Sequence, residues 1–187
     1  MYDLLQLNVS VSKVASVMKR VFQLVGLDSQ SFPSKATVLN MNLQRLHLAQ
    51  AQIGDVFAHQ ENTTLLSDET SRRGVKYMGI EARDAEGKYW VLGLREMPTK
   101  SADDTLKTLK DILEDVDRVS QMSDCEASKL LMQHVVATMS DRASTELKFN
   151  TLLEEFKREI MSVVQPNFDN LSEEEQRVLT TLANFFC

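Results

Sequence analysis

The sequence predicts an α/β chain: a helical N-terminal segment over residues 1–60, then a mixed-sheet domain over residues 61–187. Three observations carry that prediction. Apolar residues recur at helical spacing as far as Phe57, the period falls to two after residue 62, and from residue 103 amphipathic stretches flank a short apolar run at 135–141. The implied sheet is a three-stranded antiparallel meander, a crossover helix and a parallel fourth strand.

Residues 10–25 read as a first helix. Ser10 or Ser12 can cap it, Val14, Val17, Met18, Val21, Phe22 and Val25 form one stripe, and Gly26 ends it. Ser34, after Pro33, can cap a second helix with the stripe Leu39, Leu43, Leu46, Ile53 and Phe57. Gly54 lies inside that stripe and costs about 1 kcal/mol relative to alanine, so an early stop is expected.

Residues 63–68 are short and rich in β-formers. Residues 75–83 then alternate, with Val75, Tyr77, Gly79 and Glu81 on one side and Lys76, Met78, Ile80 and Ala82 on the other. Asp84-Ala85-Glu86-Gly87 is a turn cluster leading into a third strand at 88–94, which makes a hairpin.

Ser101 can cap the next helix. Asp103 and Asp104 suit its positive end, and Leu106, Leu109, Leu113 and Val116 share one side. Residues 118–133 are ambiguous, with a helix-like Leu130-Leu131-Met132. Residues 135–141 suit a strand buried on both faces, although periodicity alone leaves a helix open for so short a run. Phe149, Leu153, Phe156, Ile160 and Val164 mark a helix over 144–164, closed by Pro166. Ser172 with Glu175 is a capping-box pattern opening a last helix through Val178, Leu179, Leu182 and Phe185.

At 187 residues, 43% hydrophobic and 26% charged, the chain holds one good-sized domain or a domain with a helical appendage. Cys125 and Cys187 do not make a disulfide framework. No apolar run approaches the roughly 18 residues needed to cross a bilayer. Met1-Tyr2-Asp3-Leu4 lacks the layout of a secretion signal, so an intracellular protein is expected. The apolar ending Asn184-Phe185-Phe186-Cys187 reads as a truncation. Residues 1–60 carry five Lys/Arg against three Asp, or +2, and residues 61–187 carry 16 against 24 Asp/Glu, or −8. That acidic balance counts against tight DNA binding by this stretch alone.

Two strands end alike, in Ser67-Asp68 and Ser140-Asp141. On parallel neighbours both carboxylates would leave the sheet at its carboxyl-terminal edge, where open α/β sheets place ligands. Paired carboxylates persist with a shared proton or a bound cation, and hard ions such as Mg²⁺ take such oxygens. The competing reading makes Ser-Asp a turn or cap signature, with Asp141 capping the helix after it.

The stretch Leu65-Leu66-Ser67-Asp68-Glu69-Thr70-Ser71-Arg72-Arg73-Gly74, with Lys76-Tyr77-Met78-Gly79-Ile80, resembles the first-aspartate region of transposon-derived proteins with a ribonuclease-H-like core. Thr138-Met139-Ser140-Asp141-Arg142-Ala143 is similar to their second-aspartate strand, running on through Lys148-Phe149-Asn150 to Leu153-Glu154. The resemblance covers roughly residues 35–187. It implies a DDE/D-type transposase core in which Asp68 and Asp141 are the catalytic and metal-holding acids, with Mg²⁺ or Mn²⁺ as cofactor, DNA as substrate and a nuclear location. It also implies a third acid, placed after a large insertion that this sequence does not reach, so a fragment of low activity is expected.

Other candidates carry less. Glu154, Glu155, Glu159 and the glutamates at 173–175 read as solvated helix acids, and His47, His59 and His134 have no ligand spacing. Nothing local supports Cys125 with His134 as a nucleophile pair, Arg72-Arg73 reads as a turn, and Tyr89-Trp90 reads as strand packing. The N-terminal helices lack a recognition helix rich in Arg, Asn and Gln, so packing or homodimerisation is favoured over a helix-turn-helix. The alternative function is a non-catalytic protein–protein interaction module on an α/β scaffold.

Overall fold

A computed structural model describes residues 1–29, 31–120, 126–140 and 144–186, the last of these and residue 144 by backbone alone. Two compact units, Met1–Ala49 and Gln50–Cys187, divide the chain. The boundary falls inside a helix, before the period change at residue 62.

The first unit holds α1 (Tyr2–Gln6), α2 (Val14–Leu24) and most of α3 (Lys35–Phe57). Ser10 and Ser12 do not cap α2. Its N-cap is Lys13, with no side-chain cap, and the two serine hydroxyls hydrogen-bond each other at 3.2 Å. Ser34 does meet its expectation, accepting from the Thr37 N–H at 3.1 Å. The early stop at Gly54 does not occur, and packing explains why. A Cβ there would lie 3.2 Å from Ser120 Cβ and 3.3 Å from Ala127 Cβ and Val116 Cγ1, so glycine lets α3 approach the two helices that follow the sheet's meander.

The second unit is an α/β fold around a five-stranded mixed sheet: β1 (Thr63–Arg72), β2 (Val75–Arg83), β3 (Tyr89–Met97), β4 (Val135–Ser140) and β5 (Ala183–Phe186), in the order β3-β2-β1-β4-β5. The β1-β2-β3 meander is antiparallel, and β1-β4 and β4-β5 are parallel. Arg73 and Gly74, both with positive φ, form the two-residue turn between β1 and β2. The β2–β3 turn is held by Asp84, whose carboxylate accepts from the Lys88 N–H and from Trp90 Nε1, each at 2.8 Å.

Four helices follow: α4 (Ala102–Val119), α5 (Ala127–His134), α6 (Ser144–Val164) and α7 (Glu173–Thr180). Ser101 caps α4 by accepting from the Asp104 N–H, and the Ser172–Glu175 capping box is complete. The ambiguous stretch contains α5, capped by Asp117 of α4, which accepts from the Ser128 N–H at 2.8 Å and its hydroxyl at 2.5 Å. The helical option for residues 135–140 is excluded, since they pair as β4.

Residues beyond 180 depart from expectation. α7 stops at Thr180, the Leu182 N–H turns to the Glu154 carboxylate at 2.9 Å, and Ala183–Phe186 pairs with β4. The apolar terminal run suits either period, and the open edge of β4 decides for a strand.

Leu65, Met78, Ile80 and Leu92 of the sheet pack against Leu109, Ile112, Leu113 and Val116 of α4, with Leu131, Met132, Phe149 and Leu153 in the same core. Contact is tightest at Gly93, where a Cβ would stand 2.9 Å from Ile112 Cγ1. The opposite face presents Leu66, Asp68, Glu81, Val91 and Leu94. No helix of the described residues is long and apolar enough to cross a membrane.

Candidate functional site

The site is built on alternation along β1. Ser67 and Asp68 point to opposite faces. The Ser67 hydroxyl donates to Glu146 Oε2 at 3.2 Å, in the first turn of α6, so Ser67 belongs to the helix-covered face. Asp68 therefore projects from the other face, where it is exposed.

The turn-or-cap reading of Ser67-Asp68 is excluded. β1 continues to Arg72, and Asp68 sits inside the strand opposite Gly79 of β2. The expectation that β1 ends at Asp68 is thereby corrected. What runs it on is the Arg73-Gly74 turn, which extends the β1–β2 ladder past the aspartate.

Glu81 of β2 lies opposite Leu66, which makes it the diagonal neighbour of Asp68 on the same face. Such neighbours stand about 7–8 Å apart, within reach of one another's long side chains. Asp68, Glu81, Leu66, Leu94, Met139 and Ser140 line an open depression of about 560 Å³ over strands β3, β2, β1 and β4 of the sheet. Its lining is part apolar, and its polar residues are the acids Asp68 and Glu81 with the hydroxyl residues Ser67, Thr70 and Ser140, a donor set of hard oxygens. Mg²⁺ binds through one or two carboxylates and keeps several waters, so two acids fit such an ion without enclosing it. Among the described residues, no group of three or more His, Cys, Asp or Glu stands together as a metal cluster.

Asp141 lies outside the described residues, as do Cys125 and Cys187. β4 is described as far as Ser140, which shares the depression with Asp68. β1 and β4 are in register at Leu65↔Thr138 and Leu66↔Met139.

Glu81 and Glu146 were missed as candidates by the sequence reading. The signal for Glu81 was present in the alternation of residues 75–83: Met78, Ile80 and Ala82 are buried, so Glu81 shares the outward phase with Gly79 and Tyr77. Glu146 carried no such mark, since its approach to Ser67 spans 79 residues.

The remaining titratable groups serve the scaffold. Asp84 is held below its ordinary pKa, first by the Trp90 hydrogen bond and also by Lys88. Trp90 packs edge-on to Phe57 and under the Lys88 ammonium, 3.8 Å from its ring centre, so it is a packing residue. Burial raises the Asp117 carboxyl against the pull of its Ser128 bonds. Lys157 of α6 is buried, donates to the Val135 carbonyl, and is pushed down to about 8 by desolvation. Glu154 is tied to the Leu182 backbone, and His59 Nδ1 lies 2.9 Å from the Asp55 carbonyl oxygen, four residues back in its own segment.

Fold and depression together define an α/β protein with a mixed five-stranded sheet and an acidic patch where its parallel and antiparallel parts meet. No family model and no curated protein matches the chain.

Proposed function

We propose that the second unit is a ribonuclease-H-like core of the transposase type, whose parent performs divalent-metal-dependent DNA cleavage and strand transfer. In this reading Asp68 and Asp141 are the first two acids and hold Mg²⁺ or Mn²⁺. The meander, crossover and parallel fourth strand expected from the order of elements in the sequence are compatible with such a core. One observation carries the reading: β1 and β4 are parallel neighbours in register at Leu66↔Met139, and in the sequence Asp68 and Asp141 each come two residues after those partners.

Such ions activate an attacking water and stabilise the leaving oxygen of a phosphodiester. The described part of the chain contributes Asp68, with Glu81 as its diagonal neighbour on the same sheet face.

The second reading, a non-catalytic interaction module, is favoured by charge. Residues 50–187 carry 16 Lys/Arg against 25 Asp/Glu, or −9, and a phosphate backbone is repelled by that surface. Thermal denaturation with and without millimolar Mg²⁺ separates the two. The nuclease reading expects a higher melting temperature with the ion, and no rise in Asp68→Asn or Asp141→Asn. Equal rises in wild type and both variants would leave the interaction module as the better reading.

A further inference from the structure

β4 starts without a loop. α5 ends at His134, Val135 is its C-cap, and the same residue opens the strand. Pairing with β1 then carries an irregularity. Thr63 faces Val135, Thr64 faces Ala137, Leu65 faces Thr138 and Leu66 faces Met139, so Val136 is an extra residue on β4. Val136 is 40% exposed, between Val135 and Ala137, which are both buried. Bulges are rare in parallel pairs, and where they occur they re-aim the side chains beside them.

Lys157 of α6 reaches this point. It is buried, and its ammonium donates to the Val135 carbonyl, 22 residues away in sequence. A carbonyl oxygen has two lone pairs, so that of Val135 can serve a ladder and a lysine together. A cation at the end of α5 also suits the negative pole of that helix.

We propose that Lys157 pins the register of β4 against β1 by holding the Val135 carbonyl beside the bulge, and so sets which β4 side chains share the depression with Asp68. Without the bulge, the ladder from Thr63↔Val135 would run Thr64↔Val136, Leu65↔Ala137 and Leu66↔Thr138. That regular ladder pairs one more residue and covers Val136, so local forces favour it. It would also turn β4 over beyond Val136, because side chains alternate with a period of two. Thr138, which faces Leu65 and donates to Asn184 Oδ1 at 2.6 Å, would stand beside Leu66 in the depression, in the place of Met139. Burying a lysine is costly, and such groups can be kept for the specificity they impose on pairing. Lys157 is a positioning residue: it does not line the depression and acts on it through β4.

The test reads the β1–β4 ladder directly, by nuclear Overhauser contacts between backbone protons of the isotope-labelled full chain, in wild type, Lys157→Met and Lys157→Gln. Methionine and glutamine match in length, and glutamine alone keeps an N–H donor. Wild type and Lys157→Gln are expected to connect Leu66 with Met139. Lys157→Met is expected to connect Leu66 with Thr138, a shift of one residue. Deleting Val136 from the Lys157→Met chain should restore the Leu66–Met139 contact, because the ladder then has no extra residue to hold out. An unshifted ladder in Lys157→Met overturns the pin. So does a Lys157→Met chain that fails to fold, which would make the lysine an element of stability alone. A shift in Lys157→Gln as well overturns hydrogen-bond donation as its means, and failure of the deletion to restore the contact overturns the bulge as what it holds. Neither metal nor DNA enters the measurement, so its outcome is independent of the nuclease reading.

Discussion

The two units of the chain hold their helices by different means. Among the described residues, Gln50–Cys187 packs 21 buried residues into one cluster drawn from the meander, β4, helices α3 to α6 and Leu182 just before β5. In Met1–Ala49 the buried large aliphatics are Val14 and Val38, while Leu7, Leu24, Leu27, Leu43 and Leu48 are each more than half exposed. Short amphipathic helices gain most of their stability from the surface they cover. The α/β unit supplies that surface internally. The N-terminal unit leaves much of its apolar surface exposed.

The sharpest test of this contrast is a pair of leucines. Leu153 is fully buried on α6, and Leu153→Ala is expected to cost about 2–5 kcal/mol in urea unfolding. Leu24 is 74% exposed, and Leu24→Ala should stay within about 0.5 kcal/mol. Equal costs at the two sites would break the comparison.

Lys157 sharpens it from inside the core. Its folded pKa of about 8 lies below its ordinary value of 10.5, so between those pH values the unfolded chain binds more protons and stability rises with pH. Relative to Lys157→Met, wild type should gain up to about 3 kcal/mol across that window. At pH 7 the variant should be the more stable by about 1–3 kcal/mol, because it removes a buried charge whose hydrogen-bond partner is the neutral Val135 carbonyl. Parallel stability–pH curves for the two proteins would show that the lysine is solvated.

A smaller effect is expected at Asp84. Its carboxyl is depressed, chiefly by Trp90, so its contribution is fully present above the unfolded pKa and lost as pH falls through the folded one. Asp84→Asn should lower the melting temperature at pH 7 and flatten its dependence on pH in the acid range. An unchanged acid profile would mean that the Trp90 and Lys88 bonds do not hold the turn.

Much of the fold was legible because local and tertiary demands agree. The 75–83 alternation, the Asp84-Gly87 turn, the α4 cap and the Ser172–Glu175 box each act within a few residues. The misses share another cause. Gly54 reads as a helix stopper and is instead a contact point, which depends on side chains more than 60 residues away. Leu182 and Phe185 fit a helical stripe, yet the edge of β4 pairs their segment as a strand. The same holds for the candidate site. Ser67-Asp68 stands out in the sequence as a strand ending, but Asp68's position within the strand and the nearness of Glu81 follow from pairing with β2, which no short motif contains.

The central claim, a cation held by Asp68 and Asp141, is tested most directly by titrating Mn²⁺ and reading the free ion by electron paramagnetic resonance. Wild type should show a weak site that is lost in Asp68→Asn and in Asp141→Asn and kept in Glu155→Gln, a helix acid away from the depression. Identical titrations in wild type and both aspartate variants would contradict the claim.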